Sequence, residues 1–177
     1  MRTITKAGSV LLLAAACGVA TASPALASAS RSGPESGTGL IVASDATGTR
    51  QVLYSVIHLR GVFDGDGKIV EVQNRPADPE TVSRDNLVFP QGTISIKNTT
   101  LNVSVTADPA TCVATAHITQ ISQISGGTRK FADATGRFHS TVDGKAVLPR
   151  ASDGTCDQNA APLVEVDQVR ASGRITL

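Results

Sequence analysis

The stretch Ile124-Ser-Gly-Gly-Thr-Arg-Lys-Phe-Ala-Asp-Ala-Thr-Gly-Arg-Phe138 is a glycine-punctuated corner between two runs of β-forming residues. Glycines at strand ends supply a positive φ or leave room for a neighbouring side chain, here Phe131 turning into a core. We therefore expect Gly126, Gly127 and Gly136 to be structural and not catalytic. The corner predicts a small antiparallel β protein.

The rest of the chain repeats this pattern, with short runs of Val, Ile and Thr separated by Gly, Asp, Asn and Pro. Alternation gives Cys112–Ile124 two distinct faces, and Leu101–Val105 an apolar face of Leu101, Val103 and Val105. Past the N-terminal leader, no helical apolar period with start and stop signals occurs. The pattern predicts one all-β domain, a single antiparallel β-barrel of about eight strands. The candidate strands are Leu40–Ser44, Gln51–Phe63, Lys68–Gln73, Asn86–Phe89, Thr93–Lys97, Leu101–Thr106, Cys112–Ile124, Arg137–Val142, Lys145–Leu148 and Pro162–Leu177.

The N-terminus has the anatomy of a secretory signal peptide. Arg2 and Lys6 precede the short apolar run Val10–Val19, and Ala25-Leu-Ala27 is an Ala-x-Ala cleavage site. The apolar run is too short to remain across a bilayer, and no later segment approaches the ~20 apolar residues of a membrane span. We expect residues 1–27 to be removed and the protein to be secreted to the extracellular space.

Two alternatives concern the leader. Ala20-Thr-Ala22 is a second possible cleavage site, and Cys17 follows three alanines, as a lipid-accepting cysteine does, but lacks the usual upstream leucine. After the leader, residues 28–39 are rich in Ser, Gly and Pro and predict a flexible N-terminal arm. Residues 40–177 form the predicted barrel domain.

Composition excludes several classes of function. The chain has 16 basic and 15 acidic residues, and the leader contains two of the basic ones and no acidic one, so the remainder carries a net charge of −1. That balance gives no electrostatic footprint for nucleic acid. Trp is absent and aromatic residues are few, which argues against stacking sites for bases or sugar rings. No cofactor motif is present. The aromatic residues are Tyr54, Phe63, Phe89, Phe131 and Phe138.

Two cysteines follow the leader, Cys112 and Cys156. In an exported protein an even pair most simply forms a disulfide, which would pin the polar loop Arg150–Ala161 over a barrel end. The alternative is a redox or nucleophilic cysteine, which requires a nearby second Cys or a positioned His.

Two features resemble metal sites but favour simpler interpretations. Asp64-Gly-Asp-Gly67 lacks the later ligands of a calcium loop, and Asp-Gly between two strands is a strong hairpin signal. The three histidines, at positions 58, 117 and 139, lack zinc-site spacing. We expect no metal. The polar region Arg75–Asp85 predicts the longest loop.

The last strand mixes charges with apolar residues on one face: Glu165 and Asp167 alternate with Leu163 and Val169. In Gln51–Phe63, Tyr54, His58 and Arg60 likewise share a face with valines. One hypothesis places all five polar residues inside the barrel as a ligand-binding patch, with Arg60 or another cation beside the carboxylates. The alternative is an exterior ladder of salt bridges between neighbouring strands. The five residues are Tyr54, His58, Arg60, Glu165 and Asp167.

Two segments resemble the allene oxide cyclase and dirigent superfamily, in particular its small secreted members of the actinobacterial type. They are Leu87-Val-Phe-Pro-Gln-Gly-Thr-Ile94 and Gly126-Gly-Thr-Arg-Lys-Phe-Ala-Asp-Ala-Thr-Gly136. The likeness covers about residues 86–142 and implies an eight-stranded, calycin-like antiparallel barrel. Such relatives hold a reactive guest in one conformation, which is catalysis by orientation. The matched residues are turn and packing elements, so the resemblance assigns no catalytic residue.

The sequence leaves two functions open. The first is a secreted, non-enzymatic barrel that binds a small apolar molecule or serves as an extracellular structural module. The alternative is an isomerase or cyclase that acts by conformational confinement of a reactive small molecule, as the resemblance implies.

Overall fold

The computed structural model describes residues 30–45 and 48–177, so predictions for the leader lie outside the described residues. As the sequence predicts, the protein is all-β: eight antiparallel strands form a closed barrel in which each strand pairs with its neighbours in sequence and β1 pairs with β8. The strands are β1 Ser32–Ser44, β2 Gln51–Gly61, β3 Gly65–Val72, β4 Val82–Phe89, β5 Gly92–Asp108, β6 Val113–Gly127, β7 Thr135–Val147 and β8 Val164–Thr176.

The predicted flexible arm is wrong from Ser32 onward, because these residues are the first part of β1, paired on both sides. A strand is usually recognised in a sequence by large apolar residues, but this part of β1 has Gly37 and Gly39 instead, and the strand was therefore missed. A Cβ at Gly39 would lie 3.0 Å from the Ile69 side chain, so the small residues leave room for the core. Buried Glu35 accepts a hydrogen bond from the backbone nitrogen of Phe63 at 3.0 Å, which ties β1 to the β2–β3 turn.

Several predicted strand boundaries are also wrong. Thr93–Lys97 and Leu101–Thr106 belong to one strand, β5, with a register shift between Thr100 and Asn102. Pairing with β4 ends at Thr99, so the second half of β5 extends past the barrel wall and its apolar side chains stay in water. Residues 101, 103 and 105, predicted as a half-buried face, are each more than half exposed.

The prediction that Arg75–Asp85 is the longest loop is wrong. β4 begins at Val82 and includes Arg84 and Asp85, and the connection between β7 and β8, residues 148–163, is longer. An ion pair of 2.6 Å between Arg84 and Asp78 ties the loop back to the strand. The Asp-Gly hairpin signal locates the β2–β3 turn only to within a few residues, because Gly65 already belongs to β3 and the connection is residues 62–64.

Phenylalanines close one end of the barrel. Phe63 packs edge-on against Phe89 and Phe131, with ring centroids 5.1 and 5.0 Å apart, and Phe131 is fully buried. Phe131 ends the short 3₁₀ helix Arg129–Phe131, and no helix of the described chain is long and apolar enough to cross a membrane. As expected, the glycine corner turns Phe131 into the core. A Cβ at Gly127 would overlap the backbone carbonyl of Phe131.

The opposite end carries the longer connections and the disulfide. The predicted bond between Cys112 and Cys156 is present, with an S–S distance of 1.96 Å and Cα atoms 5.3 Å apart. It joins the β5–β6 turn to the β7–β8 loop. Arg150 adds a second tie, because its guanidinium donates to the Ala110 carbonyl oxygen at 2.8 Å. The loop before the closing strand is therefore fixed to the barrel at this end.

We expect Gly127→Val to lower the unfolding free energy by at least about 2 kcal/mol, because the new side chain collides with backbone that cannot move without displacing Phe131. Urea denaturation measures the change. Gln123→Val, on the exposed face of the same strand, is the matched control and should stay within about 0.5 kcal/mol of the parent. Equal stability of the two variants would contradict the structural role of the corner.

Removing the disulfide by Cys112→Ala together with Cys156→Ala should cost about 2–4 kcal/mol, since the crosslink restricts the unfolded chain. Urea denaturation under oxidising conditions measures the loss, and the parent protein treated with a reductant should shift to the same midpoint. An unchanged midpoint in both would show that the crosslink does not contribute to stability.

Candidate functional site

A cavity of about 300 Å³ lies inside the barrel, between the phenylalanine cluster and the disulfide end. Its deeper wall is apolar, built from inward-facing residues of most strands. Toward the disulfide end the lining becomes polar, and Arg50 there has a side chain one third exposed, so the cavity reaches solvent at that end. The apolar lining residues are Ile41, Ile57, Leu59, Ile69, Leu87, Ile94, Ile96, Ile118, Ile124, Phe138, Val142, Val169, Ala171 and Ile175.

Arg50, immediately before β2, organises the polar end. Its guanidinium forms a bidentate pair with Glu71 on β3, with hydrogen bonds of 2.9 and 3.1 Å. It also contacts Glu165 on β8 at 2.6 Å and Asp167 at 3.6 Å. One cation thus joins three carboxyl groups from two strands, and the pairs with Glu71 and Glu165 raise the pKa of Arg50. Bidentate, partly buried arginine pairs of this kind are rigid as well as strong.

Glu165 and Asp167 share the inner face of β8 and are hydrogen-bonded to each other. Burial, together with the neighbouring Glu165 carboxylate, raises the pKa of Asp167 to about 7. Burial also opposes ionisation of Glu165, but hydrogen bonds from Asp167 and Arg50 outweigh it and lower the pKa of Glu165. The two carboxyl groups therefore titrate as a pair, and burial favours the state in which they share one proton.

A second polar group lies on the wall formed by β4 to β7. Asn98, buried on β5, donates to the Asp85 carboxylate of β4 at 2.6 Å and accepts from the Ser122 hydroxyl at 2.7 Å. Ser122 is hydrogen-bonded to Ser140 of β7 at 2.8 Å. Burial is the main cause that raises the pKa of Asp85, to about 6. The chain of hydrogen bonds satisfies buried polar atoms and leaves a second carboxyl group that titrates near neutrality.

The structure separates the five predicted site residues into two groups. Glu165 and Asp167 line the cavity, as the interior hypothesis predicts. Tyr54, His58 and Arg60 lie on the outer face of β2, whose inner face carries Ile57 and Leu59, so their placement inside the barrel was wrong.

On that outer face Asp66 of β3 accepts from His58 at 2.8 Å and from Arg60 at 3.3 Å. The exterior ladder of salt bridges, the alternative interpretation, therefore holds for β2. The cation beside the interior carboxyl groups is Arg50 and not Arg60.

Sequence analysis missed Arg50, Asp85 and Asn98. Arg50 lies just outside a predicted strand, and Asp85 falls in a segment predicted as loop, so alternation did not apply to either. Asn98 lies in what the sequence suggests is a break between two strands. Two buried carboxyl groups require a nearby cation, and this requirement is the signal that could have led to Arg50.

The site suits binding of a small molecule and proton exchange more than metal chemistry. The cavity is largely apolar and has a few convergent polar groups at one end, which is typical of ligand sites. Among the described residues, no group of three His, Cys, Asp or Glu side chains is placed to hold a metal ion. Arg50 occupies the centre of the carboxyl cluster, where a cation would otherwise be expected.

No known family model matches this chain, and neither the curated proteins nor the solved structures contain a match. The class of the protein therefore follows from its fold and cavity alone, as a closed eight-stranded antiparallel barrel with an internal cavity. The resemblance to the allene oxide cyclase and dirigent superfamily stays a prediction.

Asp167→Asn should change how stability depends on pH. Because folding raises the pKa of Asp167 from about 3.9 in the unfolded chain to about 7, its contribution to stability is complete below pH 4 and is lost as pH rises through 7. The asparagine variant should lose less stability than the parent between pH 4 and pH 8. Urea denaturation across this range measures the difference, and Asp143→Asn on the outer face is the control. Parallel pH profiles for Asp167→Asn and the parent would contradict burial of this carboxyl group.

Proposed function

We propose that this chain is a secreted binding protein that holds a small, largely apolar molecule inside its barrel. The observation that supports this is the cavity itself, which is apolar along its depth, closed by phenylalanines at one end and polar where it reaches solvent. A cavity of about 300 Å³ is at the lower end of the usual range for ligand pockets, so the guest is small. Because a water molecule takes up about 30 Å³ of liquid volume, the cavity holds on the order of ten non-hydrogen atoms.

The rim of the polar end supports entry of an apolar guest from this side. Leu53 near the start of β2, and Val103 and Val105 on the extended half of β5, are apolar side chains more than half exposed at the same end of the barrel as Arg50. Exposed apolar side chains near a cavity mouth often mark a functional surface.

We also propose, on the sequence likeness, that the chain is related to the allene oxide cyclase and dirigent superfamily. The closed barrel of eight strands agrees with the architecture that this likeness implies. The two segments that carry the likeness meet at the closed end, where Phe89 of one packs against Phe131 of the other at 5.7 Å between ring centroids. This is agreement in fold, and fold alone does not assign a reaction.

A second candidate function, an isomerase or cyclase acting by confinement, is favoured by one observation. Asp85 and Asp167 line the same cavity, and burial raises their pKa values to about 6 and about 7. Two carboxyl groups that exchange protons near neutral pH could remove and return a proton on a confined guest. A guest recovered from the protein in a different isomeric form from the one supplied would favour this candidate.

Filling the cavity tests the binding function. Ala171 of β8 lines the cavity beside Gly37, and Ala171→Leu should occupy part of the guest's volume. Native mass spectrometry of the protein secreted by its own source should show an added mass in the parent that is lost in Ala171→Leu. Ser172→Leu, one residue along on the exposed face, is the matched control and should keep the guest. A parent protein that carries no guest and whose melting temperature no small apolar molecule raises would contradict the proposal.

A further inference from the structure

We propose that the guest carries a protonated amine at the end of its apolar body, and that the carboxyl groups of Asp167, Glu165 and Asp85 receive it. This inference rests on the proposed binding function and specifies its ligand. Two independent features support it: an apolar cavity with room for a guest, and an imbalance between acidic and basic side chains at the end where that cavity reaches solvent.

The imbalance is evident from the cavity lining. Arg50 is the one basic residue among the described residues that line the cavity, whereas Asp85, Glu165 and Asp167 all line it and Glu71 adjoins them. Arg50 is already paired with Glu71, Glu165 and Asp167, so three carboxyl groups offset its positive charge. A guest with a carboxylate would find no uncommitted cation in this lining and would meet like charges.

Ammonium groups fit the same surroundings. An ammonium has three donors and no acceptor, and the polar end of the cavity offers carboxyl oxygens in excess of donors. Charge-assisted hydrogen bonds to carboxylates are about twice as strong as neutral ones, so a cationic head group gains more here than a hydroxyl does.

The Asp167 carboxyl group lies close to the backbone of β7. On the neighbouring strand the position facing Asp167 is Gly144, where a Cβ would lie 2.7 Å from Asp167 Oδ1. On β6 the residue paired with Gly144 is Ala116, and its Cβ would lie 3.6 Å from a Cβ at Gly144. Small residues on β6 and β7 thus make room for the Asp167 carboxyl group itself, and the space open to a head group is the cavity that Asp167 lines.

Three chemically matched probes test the inference: octylamine, octan-1-ol and octanoate, whose apolar tails are nearly the same length. Isothermal titration calorimetry at pH 8 should give octylamine an affinity about tenfold or more above that of octanol, with octanoate the weakest. This comparison uses the parent protein and does not depend on any variant folding.

Asp167→Asn should reduce the octylamine affinity about tenfold and leave octanol unchanged, because the amide keeps the shape and loses the charge. Asp143→Asn is the matched control, since Asp143 forms its ion pairs with His117 and Arg170 on the outer face. Its affinities should equal those of the parent. Melting temperatures of both variants verify that they are folded.

The dependence on pH provides a second measurement. Octylamine stays protonated throughout, whereas Asp167 and Asp85 lose protons as pH rises from 5.5 to 8, so octylamine affinity should rise over this range and octanol affinity should stay constant. The charged groups around Asp167 are Arg50 from the β1–β2 connection, Glu165 on β8 and Glu71 on β3. The neighbouring position on β7 is Gly144, which carries no charge.

The outcomes separate the two proposals. Equal affinities for octylamine and octanol, or octanoate as the tightest ligand, would overturn the amine inference and leave the binding function standing. Failure of all three probes to bind or to raise the melting temperature would overturn both. Tighter octylamine binding that Asp167→Asn removes and Asp143→Asn preserves supports the amine inference.

Discussion

Closure of β1 onto β8 is the constraint on which the rest of the molecule depends. The two strands pair from Ser32 with Thr176 to Ala43 with Glu165, along almost their full lengths. Without this pairing the sheet would have two open edges and no interior, and the inner face of β8 would be in water. Closure therefore creates the cavity and also buries Glu165 and Asp167, so stability and the candidate site come from the same pairing.

Burying carboxyl groups opposes folding, and the barrel offsets the cost locally. Each acidic side chain in the lining has a specific compensation: Arg50 for Glu165, a shared proton for Asp167 and the Asn98 amide for Asp85. A buried ion pair is weak support for stability, since apolar residues of similar volume are often as stable or more so. Because these carboxyl groups cost stability, a role in function explains their presence better than a role in folding does.

The two ends of the barrel have different physical characters. At the closed end, three phenylalanine rings and the glycine corner exclude solvent, and small residues let backbone segments approach closely. At the other end the strands have unequal lengths, and the disulfide fixes the long loop before β8. The closed end thus excludes solvent, and the end with the charged groups is where the cavity reaches solvent.

The sequence alone predicts the all-β class, the approximate number of strands, the disulfide pair and the corner that buries Phe131. These features depend on local alternation, turn chemistry and the number of cysteines. The alternation of Glu165 and Asp167 with Val169 likewise pointed correctly to their shared face. Only the tertiary structure decided which face of β2 points inward, that residues 32–39 are a strand, and that Arg50 is the partner of Glu165. Those outcomes depend on pairings between strands distant in sequence, and an alternating pattern identifies two faces without stating which one closure will bury.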